Sequence, residues 1–218
     1  MVPAKIGAMC RGPIALAVML VAAAPASGQS LFILQGERAA EGSVGWSVGP
    51  FSNGVETHGA LSIDGRWDVG FGFNRYAADF GGGGDSIFTE WSPFVRYFLF
   101  KEDDDATPVS FAAHAALFQD NFDNDDEAWY VLAGGQLYKK FTLTDTLSLH
   151  PYVGFSLAGE SYTFGGSDAE RAVYLTRQFG VHGQMSLGLN AWLRITAEEH
   201  SFRRETYRAA RVAFVRRF

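Results

Sequence analysis

The histidines of this sequence, together with a set of charged side chains, are the residues best suited to chemistry. Histidine titrates near neutral pH, and a neighbouring carboxylate can orient it as a general base. On one alternating phase of the sequence we single out Glu90, Arg96, His114, Lys140, His150, Glu160, His182, Arg194, Glu198 and His200. Glu56, His58 and Asp68 share this phase. One hypothesis is a proton-responsive or catalytic interior. We favour the other, in which polar side chains pair with one another to fill a narrow interior.

Two further stretches could hold ligands, and neither has a complete motif. Asp120 to Glu127 is the densest acidic cluster, but it lacks the glycine and the spaced glutamate of a calcium loop. Gly81 to Gly84 lacks the lysine of a phosphate loop. We therefore predict no metal site, no cofactor and no catalytic residue, and we interpret Asp120 to Glu127 as a solvated loop.

The elements that carry these residues are predicted to be strands, because apolar and polar residues alternate with a period of two. Leu147 to Tyr162 is the clearest case, with Leu, Val and Phe at odd positions and Ser, His, Tyr and Glu at even ones. Val173 to Leu189 and Ala191 to His200 repeat the pattern. A helical period does not produce such alternation, so one face of each segment is apolar and the other is compatible with water.

Ten segments are predicted to be strands, so the expected fold is an all-β, closed antiparallel barrel. The segments are Val44 to Phe51, Val55 to Ile63, Arg66 to Ala77, Phe88 to Phe100, Val109 to Phe118, Ala128 to Thr142, Leu147 to Tyr162, Val173 to Leu189, Ala191 to His200 and Thr206 to Phe218. Most are near or above the ~9–11 residues that a tilted membrane strand needs. Leu31 to Gln35 could be an extra strand, a plug or the true start of the first strand, so eight or twelve strands stay possible.

The N-terminus is typical of an export signal. Lys5 and Arg11 precede an apolar run from Ile14 to Ala26, which is too short to span a bilayer as a helix. Cleavage after Ala26 or Gly28 would leave 29–218 as a single domain without its only cysteine. The remaining chain has an excess of acidic residues, which argues against nucleic acid as a partner.

The C-terminus completes the pattern. Thr206 to Phe218 has apolar residues at alternate positions and ends on an aromatic residue. Such a chain resembles the small outer-membrane β-barrel proteins, broadly those grouped with the OmpA membrane domain and the opacity proteins. The resemblance implies location in the cell outer membrane, contact with its lipid and lipopolysaccharide, and insertion by the barrel assembly machinery, with Phe218 as the assembly signal.

A soluble exported barrel or sandwich is the alternative, because it also alternates. Its aliphatic face would point inward, and parity alone does not say which face is inside. The terminal Phe218 and a polar face with little charge favour the membrane interpretation.

Three functions are compatible with such a barrel. The first is a structural or narrow porin-like role with a polar, filled lumen, and the second is surface binding or adhesion through outer loops. The third is lipid modification, since Glu198 to Ser201 (Glu-Glu-His-Ser) is similar to the cluster of the outer-membrane lipid A deacylases. Those enzymes place His and Ser two residues apart, whereas His200 and Ser201 are adjacent and would point to opposite faces of a strand. We therefore expect no enzymatic activity.

Overall fold

The computed structural model describes residues 31–50, 52–79, 85–122, 127–163, 170–202 and 205–218, and the predicted signal peptide 1–28 lies outside them. These ranges contain eleven strands and one helical turn, α1 (Glu102–Asp105). The strands are β1 (Ala39–Val48), β2 (Ser52–Ile63), β3 (Trp67–Asp79), β4 (Asp85–Phe100), β5 (Ser110–Phe122), β6 (Glu127–Tyr138), β7 (Phe141–Thr144), β8 (Leu147–Thr163), β9 (Glu170–Gly188), β10 (Ala191–Phe202) and β11 (Glu205–Arg217). No helix in this part of the chain is long and apolar enough to cross a membrane.

The strands form one antiparallel ladder that closes on itself. β1 pairs with β2 on one side and with β11 on the other, while β6 pairs with both β5 and β8. β7 pairs with the first residues of β8, so it continues the line of β6 and adds no position to the ring. The fold is therefore a closed barrel of ten strands with one short extra strand, which confirms the predicted fold class.

Several predicted boundaries were wrong, and Ala128 to Thr142 forms two strands, β6 and β7, where one was predicted. β1 begins at Ala39, not at Val44, and it pairs along its whole length with both neighbours. Its first residues are mostly small, so they carry no apolar alternation that could reveal a strand. Asp120 was assigned to a loop, yet it lies within β5 because its Cα is paired with those of Glu90 and Ala128.

Leu31 to Gln35 does not form a strand. Residues 31–36, which we call the plug, lie at the end of the barrel that carries the β2–β3 and β9–β10 turns and Phe218. We call this end the inner end and the opposite end the outer end. Leu31 and Ile33 are buried, and the Lys101 ammonium donates a hydrogen bond to the carbonyl oxygen of Ile33. Leu31 packs in a cluster with Phe98, Ala112, Tyr138 and Tyr152, with Phe32 against it.

The β2–β3 turn holds the plug in place. Asp64 and Gly65 both have φ of 58°, and a Cβ on Gly65 would lie 2.0 Å from the carbonyl oxygen of Leu34, so only glycine fits there. The amide of Gly36 donates to Oδ1 of Asp64 at 2.9 Å, and the amide of Gly65 donates to the carbonyl of Glu37 at 2.9 Å. The Asp-Gly dipeptide thus makes the turn and anchors the plug.

The aliphatic side chains point away from the lumen. Large apolar residues are exposed on the outside along the strands, among them Val44, Leu61, Val69, Val153, Leu157, Leu175, Ile195, Val212 and Phe214. Trp67, Trp91, Trp129 and Phe141, predicted to form aromatic girdles, are also exposed. A soluble barrel would bury the aliphatic face, so the orientation excludes the soluble alternative.

Candidate functional site

The lumen of the barrel is the place where the ionisable side chains meet. Successive strand residues point to opposite sides, so an apolar outer face directs the polar phase inward. Nine of the residues singled out in the sequence are buried there: Glu90, Arg96, His114, His150, Glu160, His182, Arg194, Glu198 and His200.

Lys140 is the exception and corrects our placement of it in the lumen. It follows β6 and precedes β7, where the chain briefly leaves the ladder, so strand parity does not predict its direction. Its ammonium lies 2.6 Å from Oδ2 of Asp103, at the inner rim, with a third of the side chain exposed.

An arginine between two glutamates lies midway along the barrel, on the side of the lumen formed by β10, β11, β1 and β2. Arg211 of β11 donates to Oε2 of Glu56 at 2.9 Å and also pairs with Oε1 of Glu198. Each glutamate has a histidine two residues further along its own strand. His58 Nε2 lies 3.8 Å from Glu56, and His200 Nε2 lies 3.4 Å from Glu198. We call these five side chains the central network.

Neighbouring side chains complete the bonding of the central network. Tyr152 donates its hydroxyl proton to Glu198, and the Gln178 amide donates to the same carboxylate at 3.2 Å. Gly45 lies between Glu56 and Arg211 in the register, and a Cβ there would lie 2.2 Å from Cγ of Arg211. The missing side chain of Gly45 therefore lets Arg211 cross β1 and reach Glu56.

Two more ion pairs lie in the inner half of the lumen. Arg194 pairs with Glu41, and Arg96 lies 3.9 Å from Asp68. The Phe32 ring of the plug stacks under the Arg194 guanidinium at 5.3 Å, so the plug contacts this layer directly.

A pair of carboxyl groups occupies the outer half. Glu90 and Asp120 are directly opposite each other on β4 and β5, and both are fully buried. Asn74 donates to Glu90 at 2.6 Å, and the Tyr130 hydroxyl donates to it at 2.8 Å. No arginine or lysine among the described residues forms an ion pair with either carboxyl group.

The remaining histidines bind hydroxyl groups. His114 contacts Ser156 at 2.9 Å, His150 contacts Ser148 at 2.9 Å, and Nδ1 of His182 contacts Thr196 at 2.9 Å. The rings of Tyr138 and Tyr152 both stack against the ring of His182. In the Glu-Glu-His-Ser segment, His200 is buried in the lumen while Ser201 lies on the outer side, so the strand separates them.

At the inner rim, every acidic residue of α1 has its own cation. Glu102 pairs with Lys139, Asp103 with Lys140, Asp104 with Lys101 and Asp105 with Arg66. The hydrogen bond from Arg66, at 2.6 Å, holds the pKa of Asp105 below its usual value, and burial lowers the pKa of Lys101.

Sequence reasoning missed three charged residues of the lumen. Arg211 alternates with the outward apolar residues Val212 and Ala210 of the last strand, so the alternation could have predicted that its side chain points into the lumen. Glu41 was missed because β1 was started too late, and Asp120 because it was placed in a loop. Within the described ranges, no three His, Cys, Asp or Glu side chains converge in a way that could hold a metal ion.

Comparison with known proteins supports the fold alone. No protein-family model and no curated protein matches this chain. The translocator domain of the autotransporter NalP from Neisseria meningitidis is similar in structure, with a TM-score of 0.53, 11% identity, and coverage of 86% of this chain and 91% of that one. The β-domain of the Bordetella autotransporter BrkA (TM-score 0.47, 10% identity, 83% and 98% covered) and the outer membrane protease OmpT from Escherichia coli (0.43, 9%, 86% and 100%) also match. The chain thus has the fold of an outer-membrane β-barrel.

Proposed function

We propose that this protein is an integral outer-membrane β-barrel with a closed lumen and a structural, non-enzymatic role. The apolar outer face supports the outer membrane as its location, and the predicted export signal at 1–28 is consistent with it. In this proposal the barrel assembly machinery inserts the chain, and membrane lipid is its principal surrounding partner.

The filled lumen is the observation that carries the proposal. Ion pairs link side chains from nearby strands, as when Arg211 of β11 bonds to Glu198 of the adjacent β10 and to Glu56 of β2, two positions away in the ring. The plug adds Leu31, Phe32 and Ile33 at the inner end. Ten strands enclose a lumen that side chains can fill, so these contacts would have to separate before a solute could pass.

Single-channel conductance tests this proposal. The refolded mature chain, residues 29–218, is inserted into a planar bilayer after heat-modifiable gel migration confirms a folded barrel. We expect it to be electrically silent or nearly so. A matched variant that lacks residues 29–36 and carries Arg211→Ala should conduct more, because the plug and the ion pairs of Arg211 are both removed. A large, stable conductance of the unmodified chain would contradict the closed lumen.

Surface binding is the second candidate, favoured by the lengths of β8 and β9. They contain 17 and 19 residues, well beyond the ~9–11 that cross a bilayer, so their hairpin extends beyond the outer membrane surface. Replacing residues 164–169 by an Asn-Gly turn should abolish binding to host cells or matrix while the folded band on the gel is retained. Equal binding by the shortened and unmodified proteins would reject this candidate.

A further inference from the structure

One sector of the outer face departs from the apolar pattern. The outward positions of β9, β10 and β11 near the outer end carry Arg177, Glu199, Ser201, Thr206 and Arg208, which we call the arginine patch. Apolar outward residues surround the patch on the same strands, including Leu175, Phe179, Ile195 and Val212. A charged lipid-facing patch therefore requires its own explanation.

The strand register brings the five side chains together. Arg177 lies opposite Ser201, and Ser201 lies opposite Thr206, so one row crosses all three strands. Glu199 lies opposite Arg208 in the next row toward the membrane interior. Thr206 is the second residue of β11 and Ser201 the penultimate residue of β10, which places the patch near the outer end.

The patch has an excess of positive charge. Arg208 donates to Glu199 at 2.9 Å, but 77% of its side chain stays exposed, so it retains free N–H groups. Arg177 is exposed and has no ion pair among the described residues. One glutamate thus neutralises only one of the two guanidinium groups.

An anionic lipid headgroup fits this arrangement. Arginine on the lipid side costs about 2–4 kcal/mol at the bilayer midplane and much less near the interface, where its long side chain can extend to the headgroups. Guanidinium groups bind phosphate through paired hydrogen bonds, and the hydroxyls of Ser201 and Thr206 can donate to the same oxygens. We propose that the arginine patch binds the phosphate groups of lipid A in the outer leaflet. This inference rests on the membrane location in the proposed function, but not on the closed lumen.

Thermal stability in defined lipid tests the proposal. The barrel is refolded in an uncharged detergent, and the temperature at which the folded gel band disappears is followed as lipid A, dephosphorylated lipid A or inorganic phosphate is added. We expect lipid A to raise this midpoint in a saturable way and the dephosphorylated form to leave it unchanged. A response to inorganic phosphate equal to that of lipid A would overturn the lipid assignment.

Charge-neutral variants assign the effect to the patch. Arg177→Gln with Arg208→Gln should weaken the lipid A response about tenfold, because two charge-assisted contacts are lost. Arg216→Gln is the matched control, since Arg216 is exposed on the same strand at the inner end and should respond as the unmodified protein does. An unchanged response in the double variant rejects the proposal. Cross-linked pairs of barrels joined at the patch, with no lipid A response, would show a second copy as its partner instead. Conductance measured on the same samples tests whether the lumen is closed, independently of whether lipid A binds the patch.

Discussion

Arg211 is the residue on which the interior most depends. It is buried, and it pairs with two carboxylates that reach it from β2 and β10. Burying charge is costly unless each group is paired, so the arrangement is stable only as a unit. The absence of a Cβ on Gly45 is part of that unit, because it provides the space that the arginine occupies.

We predict that Arg211→Met lowers the free energy of unfolding by about 3–5 kcal/mol, because the buried Glu56 and Glu198 would lose the arginine that pairs with both of them. Urea titration of the barrel in lipid vesicles measures this loss. Arg216→Gln, on the same strand but exposed, should change stability by less than about 0.5 kcal/mol. Equal effects of the two substitutions would contradict the role given to Arg211.

Asp120 differs from Arg211 because it faces a residue of like charge. Its carboxyl group lies opposite that of Glu90, and neither forms an ion pair with a cation among the described residues. Like charges placed directly opposite each other on neighbouring strands are destabilising. We predict that Asp120→Asn, which keeps the shape and removes the charge, stabilises the barrel at pH 8 by up to about 1 kcal/mol. The midpoint of urea unfolding gives the value, with Asp145→Asn as an exposed control. A loss of stability would show that the Asp120 charge is needed.

At the scale of elements, α1 and the plug close the inner end together. α1 is only one turn long, and its acidic residues pair with cations from the β2–β3 turn, from Lys101 and from the β6–β7 junction. Lys101 joins the two elements, because it pairs with Asp104 and donates to the carbonyl of Ile33. A short acidic segment is thereby held against the rim.

The Arg66–Asp105 pair gives a pH-dependent prediction. The pKa of Asp105 is lowered in the folded state, so its contribution to stability is present above the unfolded pKa of ~3.9 and is lost as the pH falls through the folded pKa. Carboxyl NMR titration should show the pKa of Asp105 rising toward its ordinary value in Arg66→Gln. Lys140→Gln, which removes the neighbouring pair with Asp103, should leave it nearly unchanged. No change in Arg66→Gln would contradict the assignment.

At the scale of the whole molecule, closure joins the two ends of the chain. β1 and β11 pair over ten residues, from Ala39 with Arg217 to Val48 with Arg208. Phe218 follows the last strand, where its amide donates to the carbonyl of Arg38 at 3.1 Å and its ring is 72% exposed. The ring therefore contributes little to packing in the finished barrel.

We predict that Phe218→Ala slows assembly but not unfolding. In proteoliposomes that contain the barrel assembly machinery, the rate at which the folded band appears should fall several-fold, because the recognised side chain is lost. Urea unfolding of the folded variant should stay within about 0.5 kcal/mol of the unmodified barrel, as for other exposed positions. Normal assembly with lowered stability would contradict a role as assembly signal.

The alternation in Leu147 to Tyr162 and in the last three strands predicted the barrel, its ten strands and the burial of His150, His182 and Glu198, because one apolar and one polar face leave few other arrangements. Lys140 shows the limit of this prediction. Odd and even positions alternate between the two faces of a sheet only where strand pairing is unbroken, and Lys140 lies between β6 and β7.

By itself the sequence determined the fold class and most of the charged residues that line the lumen, since both follow from local period and from the exclusion of charge from lipid. Only the tertiary structure decided that Arg211 joins Glu56 to Glu198, that Glu90 faces Asp120, and that Leu31 to Gln35 is a plug. Those contacts depend on strand register and ring closure, and residues 155 positions apart in the chain then meet, as Glu56 and Arg211 do. A two-residue period does not contain that information.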